Sequence, residues 1–344
     1  MITLTQGNLL NSEAEALVNT VNCKGYMGKG IALQFRKAFP ENFAAYQKAC
    51  KQNRVVPGRM FVFEYDDMLN RKTIINFPTK RHWRQHSRME DIESGLTSLV
   101  NEVQARNIRS IAIPPLGCGL GGLDWSEVKP RIEAAFAPLG NVKVFLYEPS
   151  ETPLPKDQPV RTRRPRMTRA RALLILLMHQ YHQFDYRLTL LEIHKLAYLL
   201  QEQGEDMKLN FEALYYGPYA SNLRFPLQAM EGHFILGLGD DENPDREVEL
   251  MPGAVKEAQS FIGSDPDALS RLETVTQLIN GYETPYGMEL LTTVHWVNQH
   301  EGQLTPDDVL TRIKNWSRRK GQMFTPDHIK VALAHLGGNT NCTF

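Results

Sequence analysis

Along the first 150 residues, short apolar runs alternate with stretches of helical period. "ALVNTV" (16–21) predicts a strand, and "GIALQFRKAFPENFAAYQKAC" (30–50) predicts two short helices divided by Pro40. "MFVFEYD" (60–66) and "KTIINFPT" (72–79) predict a strand pair, and "RMEDIESGLTSLVNEVQARN" (88–107) has helical spacing. "SIAIPPL" (110–116) predicts a buried strand, "WSEVKPRIEAAFAPLG" (125–140) a helix and "VKVFLYEP" (142–149) a last strand. Strands alternating with helices imply a three-layer α/β domain whose ligand site lies at the strand ends.

The pattern then changes. "PSETPLPKDQPVRTRRPRMTRAR" (149–171) is rich in Pro and Arg, lacks an apolar period, and is expected to be an extended, exposed linker. Beyond it, "MTRARALLILLMHQYHQ" and "TLLEIHKLAYLLQEQG" are amphipathic, the second ending at Gly204 as a capped helix would. "FEALYYGPYASNL" (211–223) predicts a turn at Gly217–Pro218. The expected domains are therefore 1–150, a linker at 151–171, and a mainly α-helical domain at 172–344.

Two glycine-rich stretches follow strands and lead toward helices: "NCKGYMGKGIALQF" (22–35) and "PLGCGLGGLDW" (115–125). Glycine lets backbone N–H groups approach an anion, and a helix N-terminus adds a favourable dipole. Neither stretch is a Walker or GxGxxG motif. Each alone reads equally well as a tight turn; two of them, both after strands, favour a diphosphate site.

Charge divides the chain. Residues 1–150 carry 19 Lys and Arg against 14 Asp and Glu, residues 151–171 carry 7 against 2, and residues 172–344 carry 13 against 23. A basic front and an acidic back suggest different partners. The four cysteines, Cys23, Cys50, Cys118 and Cys342, form no CxxC pair and clustered His is absent, which argues against a disulfide framework or a metal site and fits the cytoplasm. No secretion signal is expected, and the longest apolar run, "ALLILLMH", is far too short to span a membrane.

"GNLLNSEAEALVNTVNCKGYMGKGIALQF" together with "IPPLGCGLGGLDW" resembles the macrodomain family over about residues 1–150. "MGKGIA" and "GCGLGGLDW" resemble its branch that removes ADP-ribose using a lysine and, within that branch, the DNA ADP-ribosyl glycohydrolase antitoxins. The resemblance implies a three-layer macrodomain with a mixed central sheet, binding ADP-ribose and needing no cofactor. It implies that Asn8 and Leu9 stand beside adenine, although many macrodomains carry aspartate in place of Asn8. It sets Thr20, Val21 and Asn22 beside the distal ribose, Ile31, Ala32, Leu33 and Gln34 facing the phosphates, Thr79 at the end of the strand before Lys80, and Gly117, Cys118, Gly119, Leu120 and Gly121 in the second phosphate loop. Tyr147 flanks adenine or fills the core.

Lys80, in "FPTKRHW", reads on residues alone as a snorkelling surface lysine. The resemblance implies instead that it is catalytic, its neutral amine attacking C1″ of the ribose, which requires a depressed pKa. Some lysine-dependent relatives carry an aspartate where this chain has Gly121, and the nearest carboxylate, Asp124, reads better as a helix-terminal residue, so the second catalytic residue stays open. In "KRHWRQHSR" (80–88), Arg81, Trp83 and Arg84 are candidate DNA contacts, cations for phosphates and an indole for an unpaired base; the alternative is a solvated loop anchored by Trp83.

In the second half His179, His182 and His194 read as surface or packing residues. "LEIHKLAYLLQEQGE" and "YYGPYASNL" resemble the C-terminal half of the same antitoxins. "DDENPDREVE" (240–249) is a solvated acidic loop or a surface for a basic toxin groove. The resemblance implies an antitoxin that removes ADP-ribose from a base of single-stranded DNA, thymidine being the expected one, and that binds the cognate ADP-ribosyltransferase toxin. The competing readings are a non-catalytic ADP-ribose reader with an interaction domain, and a hydrolase acting on modified protein.

Overall fold

The computed structural model describes residues 1–67, 70–149, 157–182, 187–239, 245–300 and 304–338. The chain divides into two compact units, the first running from Met1 to Arg163 and the second beginning at Arg164.

The first unit is built from β1 (Ile2–Thr5), β2 (Ala16–Asn22), α1 (Gly30–Ala38), α2 (Pro40–Lys51), β3 (Phe61–Asp67), β4 (Asn70–Lys80), α3 (Met89–Ala105), β5 (Ser110–Ile113), α4 (Trp125–Phe136) and β6 (Lys143–Tyr147). Its six strands lie in the order β1-β6-β5-β2-β4-β3. All neighbours are parallel except β3, which pairs antiparallel with β4, so the sheet is mixed. β2 is buried on both faces, which is why its sequence is a continuous apolar run rather than an alternation. Leu17, Ile74 and Ala112 pack toward Phe35, Ala38 and Phe39 of the α1 layer. Val18, Ile75, Phe77 and Ile113 pack toward Ile92, Leu96 and Val128 of the α3 and α4 layer. Pro40 opens α2 at a position where a missing N–H leaves no bond unmade, so the expected break falls between α1 and α2.

The Pro/Arg-rich stretch is not extended throughout. Its helix α5 starts at Arg169, inside the residues expected to be linker. Residues 157–163 belong to the first unit: the Asn8 amide donates to Asp157 O at 2.9 Å, Arg161 N donates to Lys37 O at 2.8 Å, and the Arg161 guanidinium lies 5.7 Å from the centroid of Phe39 and 5.3 Å from that of Tyr65. Arginine stacks on aromatic faces, and two such faces met here in space are far apart in sequence.

The second unit contains α5 (Arg169–His182), α6 (Leu190–Glu202), β7 (Phe211–Leu214), β8 (Gly217–Ala220), α7 (Arg224–Met230), β9 (Ile235–Leu236), β10 (Glu249–Leu250), α8 (Ala254–Ile262), α9 (Pro266–Ile279), α10 (Pro285–His300), α11 (Pro306–Trp316), α12 (Arg318–Met323) and α13 (Pro326–Gly338). α6 begins at a Thr189–Glu192 capping box and is followed by Gly204 at φ 83°, a left-handed stop. The turn expected at Gly217–Pro218 falls instead at Tyr215–Tyr216, because Gly217 and Pro218 are strand residues opposite Leu214 and Ala213. Proline is tolerated there because a two-stranded ribbon has an unpaired side. His194 is a packing residue: it is buried, stacks on Tyr219 at 3.9 Å, and burial pushes its pKa down to about 3. Of the acidic stretch, Asp240, Asp241 and Glu242 lie outside the described residues.

Candidate active site

Three adjacent parallel strands, β5, β2 and β4, end on the same side of the sheet. The first glycine loop leaves β2, the second leaves β5, and Lys80 is the last residue of β4. The β2–β4 ladder slips at its end: Val21 lies opposite Pro78 and Asn22 opposite Lys80, so Thr79 is an extra residue. Such a bulge breaks the two-residue period and re-aims the side chains beyond it.

Lys80 is half-buried, and its ammonium donates to the carbonyl of Leu120 in the second glycine loop. Burial lowers its pKa from the ordinary lysine value. The two loops also meet directly, since a Cβ placed on Gly30 would lie 3.5 Å from Leu120 Cδ1. Gly28 and Gly119 face open space, where nothing lies within 4 Å of a would-be Cβ.

The first loop is locked from below. Asn22 Oδ1 accepts from Lys24 N at 2.8 Å, Asn22 Nδ2 donates to Tyr26 O at 2.5 Å, and Gln47 Nε2 donates to Gly25 O at 3.2 Å. Gly25 sits at φ 83°, which a side chain would disfavour. The Asn22 side chain is thereby spent on its own loop. α1 then opens at Lys29 without a side-chain cap. Ile31 and Ala32 are half-buried at this end, whereas Leu33 and Gln34 are buried in the layer beneath.

The second loop turns tightly through Gly117, at φ 71°, and is braced by Ser87, whose N–H donates to Gly121 O at 2.9 Å. A Cβ on Gly121 would stand 2.1 Å from Gly117 O and 2.5 Å from Ser87 Oγ. An aspartate at this position therefore cannot enter this loop as it is folded. Burial pushes the Cys118 thiol up to about 11, so it is a poor nucleophile here. Asp124 is the cap of α4, accepting from Ser126 N at 2.8 Å, and that bond holds its carboxyl below the usual range.

Asn8, Leu9 and Tyr147 lie at the β1/β6 edge. The Asn8 amide is engaged at both ends, capping the turn at Leu10 N (3.0 Å) and holding Asp157 O. Leu9 and Tyr147 pack with Phe35 and Leu17 in the core of the α1 layer. Thr20 is half-buried; Val21 is buried with Met27 and Tyr46; Thr79 is buried beside Val21 O.

Beyond Lys80, Arg81 makes a two-point ion pair with the buried Asp91 of α3, at 3.1 and 2.9 Å. Trp83 is 44% exposed, stacks on His82 at 5.4 Å, and carries the Arg84 guanidinium 4.4 Å above its ring. Its other neighbour is Tyr26 of the first loop, 60% exposed, with ring centroids 6.1 Å apart. The sequence reading missed Tyr26 and Ser87. An aromatic residue between glycines was the available signal for Tyr26, whereas Ser87 has no local signature.

The macro domain family model matches residues 18–132, the segment that carries both loops and Lys80. Over 337 residues the chain is 46% identical to a DNA ADP-ribosyl glycohydrolase of Thermus aquaticus, covering 98% of this chain and 93% of that one. It is 40% identical over 351 residues to the Mycobacterium tuberculosis protein of the same name, covering 98% and 99% respectively. A DNA ADP-ribosyl transferase–DNA ADP-ribosyl glycohydrolase fusion protein of Thermosipho africanus is 34% identical over 46% of this chain and 44% of its own. The first unit is thus a macrodomain. The chain as a whole belongs to the family of DNA ADP-ribosyl glycohydrolases, which are hydrolases. Among the described residues, no helix is long and apolar enough to cross a membrane.

Proposed function

We propose that this chain removes ADP-ribose from a modified base of single-stranded DNA, thymidine being the expected base, and that its second unit binds and neutralises the ADP-ribosyltransferase toxin that attaches it. The observation that carries the first part is the setting of Lys80. It ends a buried strand, reaches the second glycine loop, and has its basicity lowered by burial. A lysine serving only to attract phosphate would gain from keeping its proton; one serving as a nucleophile must lose it.

In the proposed reaction the diphosphate lies against the amides of Gly117–Gly121 and the opening turn of α1, and the distal ribose lies over the ends of β2 and β4. The neutral Lys80 Nζ attacks C1″. The glycosidic bond breaks, its electron pair stays on the base nitrogen, and the proton that Nζ gives up on bonding to C1″ passes to that nitrogen. The nitrogen lone pair then opens the C1″–O4″ ring bond to give a protonated Schiff base; water adds to C1″, Nζ departs with a proton and the ring recloses, releasing ADP-ribose and restoring the lysine. Arg84 and Trp83 meet the DNA strand, while Arg81 acts chiefly by fixing the loop to Asp91. Antitoxin pairing is supported by the Thermosipho relative, whose name joins transferase and glycohydrolase in one chain. The setting is the cytoplasm.

Incubation with ADP-ribosylated single-stranded DNA and, separately, with ADP-ribosylated protein tests this reading. Release from DNA and none from protein is expected. Release from protein alone makes the chain a protein hydrolase. Binding without release from either makes it a reader. Co-expression of residues 166–344 with the toxin tests the second unit, and cells that stay poisoned would remove the antitoxin role.

A further inference from the structure

Tyr26 and Trp83 stand in the loops that leave β2 and β4, and β4 ends at Lys80. Asn22 lies opposite Lys80 in the β2–β4 ladder and Cys23 N donates to Lys80 O at 3.0 Å, so the loop carrying Tyr26 starts alongside the lysine. Trp83 follows it by three residues, a reach of about 10 Å at most. The rings meet at an interplanar angle of 57°, too tilted and too close to admit a base between them; they form one surface. Both are exposed, whereas Phe35, Phe77 and Tyr46 of the same unit are fully buried. Tyr26 is not loose: the Asn22 and Gln47 bonds fix its backbone, so an aromatic ring is held out in water by a rigid loop. Arg84 borders the surface with positive charge.

We propose that Tyr26 and Trp83 form a stacking ledge for the unpaired base next to the modified nucleotide, the base taking the Trp83 face on which Arg84 rests in the free protein and the Arg84 guanidinium swinging out to the phosphate that joins the two. This rests on the reading of Lys80 given above and adds what the site selects, a strand rather than a nucleoside. Exposed aromatics beside cations are how single strands are held without reading sequence, because every base has a π-face. The ledge starts beside the lysine, where the leaving base must exit and where its neighbour in the strand would lie. A base stacked there would hold the modified nucleotide over the glycine loops without any contact to the ADP-ribose itself.

The test compares two substrates, an ADP-ribosylated single-stranded oligonucleotide and the same ADP-ribosylated nucleoside alone. With Tyr26→Ala, Trp83→Ala and the double variant, the ratio of kcat/KM on the oligonucleotide to kcat/KM on the nucleoside should fall about tenfold for each ring removed. The fall should lie mainly in KM, and Tyr26→Phe with Trp83→Phe should restore the ratio. An unchanged ratio, or equal losses on both substrates, overturns the ledge. If the wild-type chain releases ADP-ribose from neither substrate, the reading of Lys80 fails and takes the ledge with it, an outcome distinct from either of the others.

Discussion

The Lys80 ammonium donates to the carbonyl of Leu120, joining the last residue of β4 to the loop that follows β5. These two residues are forty positions apart, and the contact draws the candidate nucleophile to the gap between the glycine loops. A carbonyl is a weak partner for an ammonium compared with a carboxylate, so the contact positions Nζ without strongly stabilising its charge.

A pH dependence follows. Burial lowers the Lys80 pKa below 10.5, and the reaction needs the neutral amine. kcat/KM should therefore rise as pH increases toward the lowered pKa and level off above it. The same sign holds for stability: the unfolded chain binds this proton more tightly, so Lys80 adds stability as pH rises. A rate that falls between pH 7 and 9 with the fold intact would conflict with a lysine nucleophile.

Gly119 and Gly121 of the second loop should behave differently. Gly119 faces open space, so Gly119→Glu should leave the melting temperature nearly unchanged while abolishing ADP-ribose binding, because it sets bulk and negative charge where the diphosphate is expected. Gly121→Ala should damage the fold as well, by roughly 1–3 kcal/mol, since its Cβ meets Gly117 O and Ser87. Calorimetry with ADP-ribose and thermal melts on both variants separate the two effects. Intact binding by folded Gly119→Glu would remove the diphosphate from this loop.

Residues 157–163 should be part of the first unit in solution. A fragment ending at 150 loses the Asp157 carbonyl held by Asn8 and the Arg161 stack on Phe39 and Tyr65. A fragment ending at 163 keeps both. The longer one should be more stable by roughly 1–2 kcal/mol in urea titrations. Equal midpoints would mean that the strap contributes nothing.

These contacts also show where sequence reading runs out. The strand–helix alternation of 1–150 was legible because each element carries its own period, and the glycine loops were legible because bare backbone is rare before a helix. The role of Asn8 was not, since its amide is satisfied by a residue 149 positions away. Arg161 looked like linker charge because its aromatic partners, Phe39 and Tyr65, are remote in sequence. The β-hairpin turn was misplaced by one dipeptide because Gly-Pro signals a turn locally, whereas here Gly217 and Pro218 line a strand beside Lys195, whose Nζ donates to Pro218 O at 3.0 Å. Lys80 itself could be located at a strand end, but the bulge at Thr79 that sets its aim exists only once β2 and β4 are paired.

The most direct measurement is reductive trapping. The wild-type chain and Lys80→Ala would each be incubated with ADP-ribosylated single-stranded DNA and cyanoborohydride, then read by intact mass and peptide mapping. A covalent ADP-ribose adduct on Lys80 of the wild type is expected, with no adduct and no release in Lys80→Ala, although that variant should still bind ADP-ribose through the glycine loops. Full release by Lys80→Ala, or wild-type turnover that never leaves an adduct on Lys80, would contradict the assignment.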